Sequence, residues 1–210
     1  MALTLKDKRR IYSDLAVFLV GFGVAWWVGW QIEDLIWSLW LSSLLVGYAT
    51  IIGSILYFVA GRVELPDTTS KDLLEGLPQI ARLPVGLYHL GFFSIHFIGF
   101  HAVHAFFLFA FFPPEGLEEI TLEGLEELEM LARRAVSYLP FVVMLAIGER
   151  DRIRRSVKKY DLAGPYLNVV RMHLLIFFFG FTSFLGVDHI FVFTVVYVVY
   201  FSPWAFEKNK

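Results

Sequence analysis

Six blocks of apolar residues, each about as long as a bilayer is thick, leave this chain few folds to choose from. They run over about 11–30, 35–60, 84–112, 131–148, 166–186 and 190–206. A helix rises about 1.5 Å per residue, so roughly 20 residues cross the ~30 Å of hydrocarbon. Lipid offers no hydrogen bonds to a peptide backbone, and a single segment satisfies its own only as a helix. The pattern therefore predicts an all-α fold, a six-transmembrane-helix bundle forming one integral membrane domain over 1–210. The short polar breaks before the second and sixth blocks predict antiparallel hairpins of spans one and two and of spans five and six. The basic start LKDKRR leads into the first block with no clean small-residue cleavage site after it. That block is expected to be retained as a span.

Composition narrows the chemistry. The 57% apolar content exceeds the 45–50% or so of soluble domains. A net charge of −2 gives no basic field for nucleic acid, so none is expected as a partner. The absence of cysteine removes disulfides, iron–sulfur clusters and thiolate metal sites. No phosphate-cradling glycine loop, nucleophile elbow or HExxH motif occurs.

Charge asymmetry predicts orientation. If the blocks alternate across the bilayer, one side holds Lys6, Lys8, Arg9, Arg10, Arg62, Lys71, Arg82, the run ERDRIRRSVKK in the 149–165 loop, Lys208 and Lys210. The other side has only Arg133 and Arg134, with Glu33, Asp34, Asp188 and an acidic segment at 113–130. The positive-inside rule then puts both termini of a multi-pass cell-membrane protein in the cytoplasm, with the lipid bilayer as partner. Trp26, Trp27, Trp30 and Trp37 are expected to form an outer aromatic belt. The acidic segment repeats EGLEE at 115–119 and 123–127, with leucines at helical spacing. It is expected to form an amphipathic extracytoplasmic helix, either a solvated connector or the docking face for a membrane-protein partner. The 61–83 loop is expected to hold a short surface helix from near Ser70.

The third block contains YHLGFFSIHFIGFHAVHAFF, with His89, His96, His101 and His104. At 100° per residue all four fall on roughly one third of a helix circumference. Gly91, Gly99, Ala102 and Ala105 allow close helix approach beside them. That stripe is expected to face protein, because ionisable groups within a membrane are costly and mark function. Two centres are conceivable by height: an inner one with His96, His173 and His89, and an outer one with His101, His104, His189 and Asp188. Imidazoles without thiolates suit Zn, Cu or Fe. A haem would want one histidine from each of two helices at equal height, best met by His89 with His173. The competing reading makes the histidines interhelical hydrogen-bonding groups. Asp14 and Arg171 are further intramembrane charges that either pair or snorkel to the interface.

FFSIHFIGFHAVHAFFLFAFF resembles the histidine-bearing helix of an uncharacterised prokaryotic integral-membrane family, a domain of unknown function. Members carry two histidines eight residues apart, matching His96 and His104. GPYLNVVRMHLLIFFFGF is similar to the family's later helix, matching Pro165, Tyr166 and His173, and GER at 148–150 resembles the turn before it. The chain departs from the pattern in its second block, where WSLWLSS places Ser42 and Ser43 at an acidic-amide pair, and at its end, YFSPWAFEKN. The resemblance singles out His96, His104 and His173. The leading expectation is a transition-metal site with these three as ligands and His101 as auxiliary. The alternatives are an accessory subunit of a membrane complex and a haem- or metal-dependent membrane oxidoreductase.

Overall fold

Helix ends are set by residues that suit them. α1 (Leu5–Val28) stops at Gly29, whose φ of +72° is a left-handed conformation that glycine adopts without strain. Two residues later Gln31 caps α2 (Ile32–Val59), and its backbone N–H donates to Asp34 Oδ2 at 3.1 Å. This is the return half of a capping box. α2 closes on Ala60 and Gly61, the latter at φ +69°. Four more helices follow: α3 (Gln79–Phe111), α4 (Leu125–Gly148), α5 (Arg150–Lys159) and α6 (Tyr166–Phe184). The computed structural model describes residues 5–64, 76–113 and 125–185, with Phe191 and Thr194. Among the described residues the chain is all-helical, with no strand.

Several boundaries differ from the sequence expectation. α3 begins at Gln79 rather than near Pro84, which lies inside the helix and leaves the carbonyl one turn back without its usual donor. α4 joins 125–130 of the acidic segment to the fourth apolar block as one helix, so that stretch is not a separate element. The run 150–159, expected as loop, is helix α5. Its buried contribution is small, a Ser156 and half-buried Ile153 and Val157, and its arginines and lysines masked the period. The surface helix near Ser70, the acidic residues 114–124 and nearly all of the sixth block lie outside the described residues. Two described stretches, Glu33–Val59 and Gln79–Phe111, are long and apolar enough to cross a membrane, and α1 offers a shorter apolar run at Leu19–Val28.

α2 is the hub. It packs against α3, α4, α5 and α6, while α1 packs on α4. Contacts fix the directions. α3 runs antiparallel to α2: Phe97 packs on Gly47, Trp40 Nε1 donates to His101 O at 3.0 Å, and Trp37 Nε1 donates to Phe112 O at 2.9 Å. α4 runs parallel to α2, with Asp34 bonded near its start and Val157 of the following α5 against Gly53 near the other end. α6 runs parallel to α3, with the Tyr166 ring 5.4 Å from Phe97 and the Phe179 ring 6.2 Å from Phe112.

Two apolar cores result. One holds Leu35, Leu39, Leu108, Phe141 and Phe179, and the other Ile51, Ile55, Phe97 and Val169. Trp37 belongs to the first core at 6% exposure rather than to an aromatic belt, and Trp30 stacks on Phe141 at 3.9 Å. Trp26 and Trp27 do remain exposed. So do many large apolar side chains, among them Ile95, Phe106 and Phe177 at 72–75% exposure. Exposure on this scale is unusual for a protein bathed in water.

The α2–α3 crossing depends on one missing side chain. A Cβ at Gly47 would fall inside contact distance of the Phe97 ring, which is itself 0% exposed. Gly47→Val should therefore overpack the crossing and cost about 1–3 kcal/mol. Thermal unfolding in detergent checks this, and Phe97→Leu in the same chain should recover part of the loss.

Candidate functional site

α3 carries its histidines into three different surroundings. His89 reaches across to the end of α5, where its Nδ1 lies 2.5 Å from the Tyr160 hydroxyl. Tyr160 has a left-handed backbone, φ 55°, uncommon for a residue with a side chain. Its ring is held between His89 and Phe58, the latter stacked at 4.6 Å. His96 is exposed, bonds back to Phe92 O at 3.1 Å and stacks on the Phe92 ring at 4.1 Å. It therefore does not share the protein-facing surface expected for the whole stripe; His101 and His104 bond back to their own helix in the same way, so the difference lies in what packs against each position.

His101 and His104 are buried, at 2% exposure each, with ring centroids 6.4 Å apart. Their Nδ1 atoms lie 2.9 Å from Phe97 O and 2.6 Å from Phe100 O. A carbonyl only accepts, so each neutral ring carries its proton on Nδ1 and its lone pair on Nε2. His101 Nε2 faces Ser43 Oγ at 3.2 Å, and the serine hydroxyl donates to it. Neighbouring Ser42 Oγ is also buried and has no hydrogen-bond partner among the described residues. An imidazole whose Nδ1–H is tied to a carbonyl, leaving Nε2 as the basic atom, is the arrangement that orients metal-bound histidines. Among the described residues, no group of three or more His, Asp or Glu side chains converges as a metal cage.

His173 lies on α6, and its side chain is outside the described residues, as are those of Asp14, Arg171, Asp188 and His189. The backbone register is informative nonetheless. Tyr166 lies beside Phe97, and α6 runs parallel to α3. Seven residues on, at about 1.5 Å per residue in both helices, position 173 is level with His104. The expected height, midway between His89 and His96, is corrected along α3 by about three turns.

Two polar clusters flank the histidine region. At one end of α2, Asp34 Oδ1 accepts from Tyr138 OH at 2.8 Å and from Arg134 Nη1 at 3.3 Å. At the other end, Glu149 pairs with Arg152 beside Thr50, Ser156 and Pro165. There Lys158 Nζ reaches Glu64 Oε1 at 2.8 Å, and this bond holds the carboxylate below its ordinary range. Gly164 N–H donates to Asp161 Oδ1 at 2.8 Å, closing the turn into Pro165. Sequence reasoning named Asp34, Arg134 and Ser43 without pairing them, and it missed Tyr138 and Tyr160. Their partners lie 58 to 104 residues away in the chain, so no local pattern signals them.

A family model described as a family of unknown function matches residues 7–201. No curated protein and no solved structure matches the chain.

The Tyr160 clamp is open to titration. Burial pushes its phenol up to about 12. A raised folded value means the clamp's contribution is whole below about pH 10, the ordinary tyrosine value, and is lost as pH climbs toward 12. The tyrosinate absorbance of the native protein minus that of Tyr160→Phe should titrate with a midpoint near 12. A midpoint at the ordinary value would show the ring to be in water.

Proposed function

The chain belongs to DUF6498, a family of unknown function, and from that starting point we propose that it is a six-span cell-membrane protein with both termini in the cytoplasm. We propose further that it holds a transition metal, zinc, copper or iron, between α3 and α6. His101 and His104 would supply two ligands from adjacent turns of α3, and His173 the third from α6. His96 is set aside as a ligand, since its ring is exposed and folded onto Phe92.

The membrane reading is supported by two long apolar helices and by the breadth of exposed aliphatic and aromatic surface. The alternating directions of α2, α3, α4 and α6 are those that successive spans require. The links between connecting segments keep to the same sides: Asp34 with Arg134 at one end, Glu64 with Lys158 at the other. The second end is the one rich in Lys and Arg, which the positive-inside rule assigns to the cytoplasm.

One observation carries the metal reading: two buried imidazoles with both Nδ1–H groups tied to carbonyls, level with a third histidine position on the facing helix. Such an ion would act as a Lewis acid or redox centre, according to its identity. The protein's own part is to fix the tautomers and to exclude water through Phe97 and Leu108, while Ser43 would have to release its hydrogen bond to His101 Nε2 for that ring to bind the ion. A second reading, an accessory subunit of a membrane complex, is favoured by a different fact. Each described histidine already has a protein hydrogen bond, which is all that packing demands. In that reading the acidic 113–130 segment is the contact surface. A haem enzyme is the third reading, and a Soret band would reveal it.

Elemental analysis of untagged protein purified in detergent separates these. Zinc, copper or iron should be stoichiometric with the chain, fall sharply in His104→Ala and His173→Ala, and persist in His96→Ala. Metal-free protein, or content indifferent to the first two substitutions, rules the site out.

A further inference from the structure

α5 lies alongside the second half of α2 and has opposite chemistry on its two sides. Ile153 and Ser156 meet Thr50 around a small cavity, Val157 packs against Gly53, and Lys158 O accepts from the Glu64 N–H at 2.7 Å. At 100° per residue, Ile153, Ser156, Val157 and Tyr160 share one arc of the helix. Arg150, Arg154, Arg155 and Lys159 fall on the opposite half, and all four are exposed. Arg150 Nη1 donates to Ile147 O at 2.8 Å, and half-buried Lys158 is tied to Glu64. Arg154, Arg155 and Lys159 make no hydrogen bond or ion pair among the described residues. The only acid within α5 is Asp151. The excess positive charge is felt at Glu64, whose carboxylate is held below its ordinary range by Lys158 first, and then by Lys159 and Arg154.

α2 sets the level of this cationic face. α5 begins beside Thr50 and ends where Tyr160 stacks on Phe58 at 4.6 Å. Those two α2 positions lie 16 and 24 residues beyond Asp34, about 24 and 36 Å along the helix. α5 therefore straddles the point ~30 Å from the Asp34–Arg134 network, which is the thickness of bilayer hydrocarbon. Apolar side chains are exposed at the same level. Leu56 of α2 is 63% exposed, and Leu83 of α3 is exposed one turn from Gly86, which packs on Ile55 and Val59. Arginine and lysine lay their apolar stems along such a surface and carry their charge to its edge. A nucleic acid or a soluble acidic protein would meet apolar surface at this level, whereas a lipid matches both the charge and the hydrocarbon.

We propose that the outward face of α5 binds anionic phospholipid of the adjoining leaflet, with Arg154, Arg155 and Lys159 on the phosphates. The inference rests on the membrane part of the proposed function and on none of the histidines. Ile153 and Val157 hold α5 against α2, so the cations are presented by a fixed helix rather than by a loose tail. The tie between Lys158 and Glu64 joins that helix to the segment after α2.

Native mass spectrometry of the full protein in detergent tests this, with dioleoyl phosphatidylglycerol and dioleoyl phosphatidylcholine as probes. Phosphatidylglycerol should bind at least about fivefold more tightly than phosphatidylcholine, since one basic residue near an anionic surface contributes about 1 kcal/mol. Arg154→Gln with Arg155→Gln and Lys159→Gln should erase the preference. The three side chains are exposed and bonded to nothing described, so the thermal midpoint without added lipid should stay unchanged. Arg154→Lys with Arg155→Lys keeps the charge and should keep most of the preference, and Arg133→Gln at the opposite end should leave it intact. Equal binding of the two lipids, or a preference that survives the triple substitution, overturns the proposal. So does tight capture of an RNA oligomer or of polyglutamate by these residues in the absence of any lipid preference. A chain that stays in solution without detergent overturns it by a separate route, through the membrane premise, whatever its metal content.

Discussion

Polar atoms settled within their own helix are what let this bundle close. α2 is buried along much of its length and still carries Ser38, Ser42, Ser43, Thr50 and Ser54 on its inner surface. Ser38, Thr50 and Ser54 donate to carbonyls three or four residues back, at 2.7–2.8 Å. Ser94 and the imidazoles of His96, His101 and His104 do the same on α3. An unpaired buried polar group costs about 1–3 kcal/mol, so local pairing removes a penalty that the apolar neighbours could not offset. The small side chains then act as spacers of minimal size, and α3, α4, α5 and α6 can all approach one helix.

The exceptions to local pairing hold the helices in register. Trp37 and Trp40 donate across to carbonyls at Phe112 and His101, Tyr48 meets Ser94 at 2.7 Å, and Ser43 meets His101. These bonds follow a single line along the α2–α3 seam, from its tryptophan-bearing end to the middle of the bundle. Gly47 lies on the same seam under Phe97. Sliding α3 by one turn would break four cross-helix bonds and drive an aromatic ring into the α2 backbone. Specific hydrogen bonds set the register, and apolar burial supplies the attraction.

This division of labour also sets the surroundings of the buried histidines. An apolar interior lowers the local dielectric and strengthens the bonds these rings make, among them the one from Ser43 to His101 Nε2. The tie from Nδ1 to the helix carbonyl fixes which nitrogen is basic. Asp34 with Tyr138 and Arg134 at one end, and His89 with Tyr160 at the other, hold the helix ends at a fixed spacing around the His101–His104 pair.

The sequence by itself determined the helical class and most of the apolar blocks, since those depend on composition and on periodicities shorter than two turns. It also marked the charge asymmetry and the unusual histidine helix. It missed α5, because a helix with so little buried surface has no apolar stripe to detect. Only the tertiary structure decided which histidines are inside: His96 and His104 lie on nearby arcs of one helical wheel, yet one is exposed and the other buried. Burial depends on where the neighbouring helices α2 and α6 stand. The level of position 173, the place of Trp37 in the core and the pairing of Asp34 with Tyr138 were likewise settled by contacts between residues far apart in the chain. Such contacts depend on packing of whole helices, and no local stretch of sequence encodes them.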